Sequence, residues 1–371
     1  YRNLLLFPKA TAQLAKTVLS IPTHLRNIIS AGAFAAANGV LTEGLINPRL
    51  LGDAFRKGWQ ISGVANLKNT RFKDADFEKA YRELLELGVV NSQVQIGDLR
   101  NLLRDVNFGD SIMDIDKILN PMLTKLKKIP EYLQGKYVAE DDFWKITNYF
   151  VELQRRQDAY AKARIKKPLD ELKKEAADIV KNTVPNYNFV GDIVRTARVL
   201  PVGNFMSFPS EMIRTTTNIG GQAIKELKHI PAVGERIIGS DIGPVVFIEG
   251  KGLVKNNNPM YAIGVKRATG MAFTLTAVPT MFVEGAKALY DVTEDEIEAL
   301  RRFVPDWSRN STLVPIRGDD GTLKYVDFSH SNAYDLLGRP FRTMSNEIMA
   351  STKDGDTILK GFVNGVDDAI R

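Results

Sequence analysis

The chain has 371 residues, 44% of them hydrophobic and 25% charged, which supports a buried core and excludes a low-complexity or disordered polymer. It contains no cysteine, so disulfides, thiolate nucleophiles and zinc–thiolate sites are excluded together. The net charge of +6 resides in residues 1–70, where Arg2, Lys9, Lys16, Arg26, Arg49, Arg56, Lys57 and Lys68 stand against only Glu43 and Asp53. A basic end on a neutral body predicts contact with something anionic, nucleic acid or lipid headgroups, or else a solvated helix face.

Residues 1–70 read as basic N-terminal helices. The first residue is Tyr and no cleavable-signal layout follows it, so the chain is expected to be an internal piece of a longer polypeptide or a processed product. Pro8 and Pro22 stand where a first-turn proline belongs, Ala37-Asn38-Gly39 supplies a glycine stop, and Asn47-Pro48 repeats the start signal.

A helical body is expected over 71–231. Within 74–88, Phe77, Tyr81, Leu84, Leu85 and Leu87 fall largely on one face and Gly88 ends the helix, with 97–106 as its hairpin partner. Residues 139–167 read as one long helix stopped by Pro168. Its stripe of Phe143, Ile146, Tyr149, Phe150, Leu153 and Tyr160 predicts a packing seam rather than a base-stacking platform. Its C-terminal end carries Arg155, Arg156, Lys162, Arg164, Lys166 and Lys167, which suits the helix dipole and offers a second cationic surface. Residues 169–184 form the next helix, ended by Pro185, and 201–231 hold a helix with Gly and Thr in its middle.

Residues 232–258 are rich in Gly and Asn and read as a hinge or loop with at most a short strand. The final third, 259–371, reads as an apolar helix, a capped helix, a β-hairpin and C-terminal helices. Thr293 and Glu296 are spaced as a capping box. "LVPIRGDDGTLKYVDFS" (313–329) is the one stretch whose pattern alternates with period 2. Asp319-Asp320-Gly321 belongs to its tight turn, where Gly takes positive φ without steric cost. Pro315 argues for an edge strand. The hairpin is expected to lie on the helical body with Trp307 and Phe328 beneath it, or to add to a neighbouring subunit's edge, since an isolated ribbon is marginal in water. Ser331 is placed to cap the following helix.

Catalytic and metal patterns are missing. "GKG" at 250–252 lacks the spacing of a phosphate loop, and no G-x-G-x-x-G, G-x-S-x-G or H-E-x-x-H occurs. His24, His229 and His330 are too scattered to predict a metal site. The pair Asp114/Asp116 lacks the glycine and terminal glutamate of a calcium loop. No enzyme activity, cofactor or metal is therefore expected.

Two uncharged stretches remain, 28–42 and 268–283, with Ile28, Phe34, Ala35, Met271, Phe273, Ala277 and Phe282 as their bulk or centre. Both fall short of the roughly 20 apolar residues of a membrane span, and 15 helical residues cover only about 22 Å. They read either as core helices whose small residues allow close approach, or as segments able to enter a bilayer.

Several phrases carry a resemblance: "AKTVLSIPTHLRNIISAGAFAAANG" (15–39), "EAADIVKNTVPNYNFV" (175–190), "LPVGNFMSFPSEMIRTTTN" (200–218) and "EIEALRRFVPDWSRNSTLVPIRGDDGTLKYVDFSHSNAYD" (296–335). They resemble segments of the giant inner-virion, or large polyvalent, proteins of short-tailed bacteriophages. The resemblance implies a long helical polypeptide packaged on the portal and ejected ahead of the genome to help form a conduit across the host envelope. Some such proteins carry a cell-wall-cleaving domain; no Glu-Ser pair occurs here to match it.

The expected fold is thus mainly α, an elongated multi-helix domain with one short β-hairpin near 313–328. The expected role is a structural inner-core component taking part in genome ejection. Expected partners are other inner-virion proteins and the portal, further copies of the chain, genomic DNA without sequence preference, and the host membrane. Its places would be the virion interior and, later, the host envelope. Lys9, Lys16, Arg26, Arg56, Lys57 and the 155–167 cations would meet phosphates or headgroups, with steep salt dependence. The rivals are a pure scaffold domain touching neither DNA nor lipid, and a non-catalytic fragment of a virion-packaged nucleic-acid enzyme.

Overall fold

Backbone punctuation lays out the first helices as the sequence dictates. The computed structural model describes residues 30–67, 75–90, 131–186, 207–305, 312–318 and 320–327. Helix α1 (30–37) breaks at Gly39, which holds φ 72°, and α2 (Val40–Ile46) follows. Pro48 then opens α3 (Pro48–Leu67), with the Asn47 side chain accepting from the Leu50 amide at 3.3 Å. Helix α4 (Ala75–Glu86) ends through Gly88 at φ 73°, and the Val89 amide folds back to the Leu84 carbonyl.

The long helix α5 (Glu131–Lys162) starts earlier and stops sooner than the pattern predicts, because Arg164 takes a left-handed turn before Pro168. Helix α6 (Leu169–Thr183) and helix α7 (Ser207–Leu227) follow, then α8 (Tyr261–Tyr290) and α9 (Glu294–Phe303). The capping box that begins α9 is formed by Thr293 and Glu296 as the spacing predicts. The chain is mainly helical, with short antiparallel ribbons.

Helix α5 is the axle. On one side Ile146 and Tyr149 pack with Ile61 of α3, Leu84, Val89 and Val90 from the end of α4, and Ala176, Ala177, Val180 and Val184 from α6. Four of the six residues in the sequence's aromatic stripe thus join this seam: Ile146 and Tyr149 at its centre, Phe150 and Leu153 packed against it. A second apolar cluster joins Phe34 and Ala37 of α1 to Met212, Ile219, Ala223 and Leu227 of α7 and Ala268 and Met271 of α8. A third, small set joins Ala35 of α1, Val40 of α2, Ala54 of α3 and Val151 of α5.

The Gly/Asn-rich connector differs from the expectation of a loop. β1 (Val245–Ile248) and β2 (Gly252–Lys255) pair antiparallel, Val246 opposite Val254, and residues 236–238 bond to the other edge of β1. All four β1 residues are apolar, yet only Val246 and Ile248 are buried, so the alternation exists in space and not in polarity. The triplet Asn256-Asn257-Asn258 stitches the ribbon to both helices. Asn256 Nδ2 donates to the Leu227 carbonyl and Asn258 Nδ2 to that of Lys228, both at 2.8 Å, covering groups left open at the end of α7. Asn258 Oδ1 accepts from the Met260 amide at 2.9 Å, where α8 begins.

The expected second ribbon is present: β3 (Leu313–Arg317) pairs with β4 (Leu323–Asp327), Pro315 opposite Tyr325. It does lie on the helical body, with β3 against α8 and Leu313 buried. Arg317 anchors it, donating to the Tyr290 and Asp291 carbonyls and to both Glu296 oxygens at 2.9 Å. Asp320 accepts from the Thr322 amide and hydroxyl, so it is a turn residue. Trp307, Phe328, His330, Ser331, Asp114, Asp116, Asp319 and the 97–106 helix lie outside the described residues.

Candidate functional site

A buried charge cluster occupies the place where α1, α2, α5, α6, α7 and α8 converge. Its first component is Glu152, Arg155 and Arg156, the C-terminal part of a row on α5 in which Asp142, Lys145, Asn148, Glu152, Arg155 and Arg156 recur at helical spacing and are all buried. Helix α8 contributes Arg267, which is wholly enclosed. Helix α7 contributes Glu226, and the α1–α2 corner contributes Asn38 and Glu43.

The geometry leaves no cluster charge unmatched. Arg267 donates through Nε to Glu226 at 3.0 Å, through Nη2 to Glu152 at 2.9 Å, and through Nη1 to the Asn38 side-chain oxygen at 2.6 Å. Arg156 reaches Glu152 at 3.0 Å, Glu175 of α6 at 2.6 Å and Glu226 at 2.7 Å. Arg155 donates to Glu43 at 2.9 Å, to the Asn38 carbonyl at 3.0 Å and to the Gly39 carbonyl. Its guanidinium therefore caps the C-terminal end of α1. Lys266 closes the set, donating to Glu43 at 2.7 Å. Arg155, Arg156, Lys266 and Arg267 thus balance Glu43, Glu152, Glu175 and Glu226, four charges against four, with the half-buried Lys167 a further partner of Glu175 at the edge.

The electrostatics follow from this balance. Burial alone would raise the Glu152 carboxyl, but Arg267, Arg156 and Arg155 outweigh it and hold it down at about 2. Burial acts the same way on Glu43, and there Lys266 and Arg155 win, leaving it below its ordinary value. For Arg267, burial is overcome by Glu152 and Glu226, which keep it above the ordinary arginine range. Arg155 is the exception: burial pushes it below its ordinary value despite Glu152 and Glu43.

Close backbone contact locks the corner in place. A Cβ on Gly39 would stand 2.5 Å from the Lys266 carbonyl oxygen, and one on Gly270 would collide with the Ala36 carbonyl and with Gly39. Helix α8 therefore crosses the α1–α2 corner with glycine on both sides. A second polar group sits further along α5, where Lys145 Nζ donates to Asp141 at 2.6 Å and Tyr81 donates to Asp142 at 3.1 Å.

Only part of the sequence-predicted surface stands where phosphates or headgroups could reach it. Arg155 and Arg156 are corrected: they are 4% and 2% exposed and fully engaged, so they form no phosphate-contacting surface in this fold. Their cationic charge is spent on the interior. Lys162, Arg164 and Lys166 are exposed, while Lys167 is half-buried, bound to Glu175 at 2.8 Å and lying over the Tyr160 ring. Arg56 is exposed and pairs with Asp53 at 3.3 Å; Lys57 is exposed beside the Phe150 ring. Lys9, Lys16, Arg26 and Ile28 lie outside the described residues.

Of the apolar stretches, Phe34, Ala35 and Met271 are core, Ala277 is half-buried and Phe273 is 42% exposed. The Phe282 side chain lies outside the described residues. Among the described residues no helix is long and apolar enough to cross a membrane. His229 is buried at the end of α7, its Nδ1 accepting from the Asn257 amide at 3.4 Å. Among the described residues no group of three or more His, Asp or Glu could hold a metal ion.

The cluster itself was missed by the sequence reading, which divided basic from acidic residues by position rather than by helix face. The available signal was the row of ionisable and amide residues 142, 145, 148, 152, 155, which runs at helical spacing beside the apolar stripe of the same helix. Comparison with protein-family models, with curated proteins and with solved structures finds no match to this chain.

Proposed function

We propose that the chain is a structural, non-catalytic helical domain of a bacteriophage inner-virion protein that takes part in genome ejection. The observation that carries the structural part is the saturated charge cluster. Every carboxylate in it is bound by a guanidinium or ammonium group, leaving no buried group in it free to act as acid, base or nucleophile. A balanced cluster of this kind specifies one arrangement of helices, because each wrong register would bury an unpaired charge.

The ejection part comes from the resemblance to inner-virion proteins, and the chemistry of the fold suits it. With no cysteine, the helices are held only by contacts that threading through a narrow tube can release and refolding can remake. Exposed Arg56, Lys57, Lys162, Arg164 and Lys166 remain to meet phosphates without reading sequence.

The test is to unfold the full chain in denaturant, dilute it, and follow near-ultraviolet circular dichroism with binding to duplex DNA and to anionic vesicles. The reading expects the native spectrum to return and DNA or vesicle binding to weaken steeply with salt. Irreversible aggregation would sink the threading role. A second reading, a scaffold domain touching neither DNA nor lipid, is favoured by the burial of Arg155 and Arg156. Full refolding with no binding to either ligand would establish it.

A further inference from the structure

Three connections of the chain meet at one end of the helical body. Helix α3 runs back against α5, because Glu43 just before it meets Arg155, Lys57 lies over the Phe150 ring, and Gly58 stands against Phe143 and Thr147. Helix α7 ends beside the C-terminal part of α5, where Glu226 binds Arg156, and α8 begins there, with Gly264 against Glu226 and Leu227. The α2–α3 corner, the α5–α6 loop and the ribbon between α7 and α8 therefore share that end. Residues 45–49, 162–171 and 228–258 hold ten of the twenty large apolar side chains that are exposed among the described residues. The same stretches carry nine Lys and Arg against five Asp and Glu. The three carboxylates of the ribbon are each paired with one of its own cations, so the excess positive charge is left to face outward.

Each of the three tips joins apolar bulk to cations. Leu45, 87% exposed, precedes Arg49, and the exposed Ile165 stands between Arg164 and Lys166. On the outer face of the ribbon Ile238, Phe247 and Leu253 form an exposed row, since the Ile238 amide donates to the Phe247 carbonyl at 2.9 Å and Leu253 lies opposite Phe247. Val233 is fully exposed at a turn whose Gly234 holds φ 83°. Apolar tips among cations match the boundary of an anionic bilayer, where aliphatic groups reach the acyl region while Lys and Arg stay at the phosphates. Duplex DNA would engage the cations and leave the apolar tips in water. We infer that this end lies on an anionic lipid surface, a placement that rests on the anionic contact proposed above and names lipid as its source. The contact is shallow, made by a corner, a loop and a ribbon.

The chain has no cysteine, so one introduced thiol reports on one place. The full chain with Val233→Cys, carrying an environment-sensitive dye, is mixed with vesicles of phosphatidylcholine and phosphatidylglycerol, with phosphatidylcholine vesicles, and with duplex DNA. The expected result is a blue shift with the phosphatidylglycerol vesicles alone, weakened by salt. The same dye on Leu289→Cys, about 40 Å along α8 from its start, is expected to keep its spectrum. Leu45→Asp combined with Leu253→Asp changes two exposed side chains. It should keep the circular dichroism spectrum and weaken binding to those vesicles by about tenfold or more. Vesicle binding without a shift at Val233, with an equal shift at Leu289, or indifferent to the two aspartates overturns the docking end and leaves the phosphate contact of the exposed cations standing. An equal shift with phosphatidylcholine vesicles or with DNA overturns anionic lipid as the occupant. Binding to no vesicle overturns the inference together with the lipid contact it rests on, and hands this end to a protein partner.

Discussion

The two sides of α5 solve the same packing problem with opposite chemistry. Towards α3, α4 and α6 the helix presents Ile146 and Tyr149 to an apolar cluster. One to two turns on, towards α7, α8 and the α1–α2 corner, it presents Glu152, Arg155 and Arg156 to a fully paired set of charges. An apolar interface rewards burial in almost any register, whereas a buried charge is acceptable only with its own partner in place. The apolar side therefore supplies most of the cohesion, and the charged side fixes which helix goes where. The six elements meeting at the cluster come from four separated stretches of the chain, 30–46, 131–183, 207–227 and 261–290, and specific pairing is most needed at such junctions.

The comparison breaks most sharply at Arg267. Replacing it with Met leaves Glu152 and Glu226 short of a buried partner, and a loss of about 3–5 kcal/mol is expected in denaturant unfolding. Converting Arg156, Arg267, Glu152 and Glu226 together to apolar residues of similar volume removes two cations and two anions, and should cost much less than that single change. A milder single change than the quadruple would show that the cluster is not a unit. On the other side, Ile61→Ala removes a wholly buried methyl-rich group and should cost about 2–5 kcal/mol, according to how far the site collapses. Combined with Arg267→Met it should be additive, because the two lie in separate clusters.

How far the sequence reached follows the same divide. Proline, glycine and capping signals placed most helix starts and stops, and the β3–β4 hairpin announced itself through alternation and its Asp-Gly turn. The β1–β2 ribbon was hidden because Val245, Val246, Phe247 and Ile248 are all apolar, so only burial alternates. The apolar seam of α5 was legible because its residues can be recognised one helix at a time. The charge cluster was not, because Glu43, Glu152, Glu226 and Arg267 acquire meaning only from one another, and their separations in sequence reach 224 residues between Glu43 and Arg267. Arg155 and Arg156 were misread for that reason: beside Lys162 and Arg164 in the chain they look like surface charge, while in space they belong with Glu43 and Glu226.

Gly270 probes the close approach that lets the charges meet. Its Cβ would collide with backbone at Ala36 and Gly39, which cannot rotate away as a flexible side chain could. Gly270→Ala should therefore cost about 1–3 kcal/mol even though alanine is the better helix former. Gly63→Ala, in the helix α3 with nothing within 4 Å of the added carbon, should be neutral or slightly stabilising. Equal effects at the two glycines would mean that the α1–α2 corner can shift without loss.

Acid separates the two regions with the gentlest perturbation. Glu152 titrates at about 2 in the folded chain against an ordinary value of 4.5, and Glu43 is lowered as well. Both bind protons more readily when unfolded, so their contribution is fully present above about pH 4.5 and is lost as the pH falls towards about 2. The slope contributed by each is at most about 1.4 kcal/mol per pH unit. In Ile61→Ala the acid slope should match that of the parent chain, because no cluster charge is touched. In Glu152→Gln the titrating group is gone, and the slope between about pH 4.5 and about 2 should flatten even where overall stability is lower. An unchanged slope in that variant would mean that the acid response arises elsewhere, and that the charges on α5 set helix register without setting the pH range of the fold.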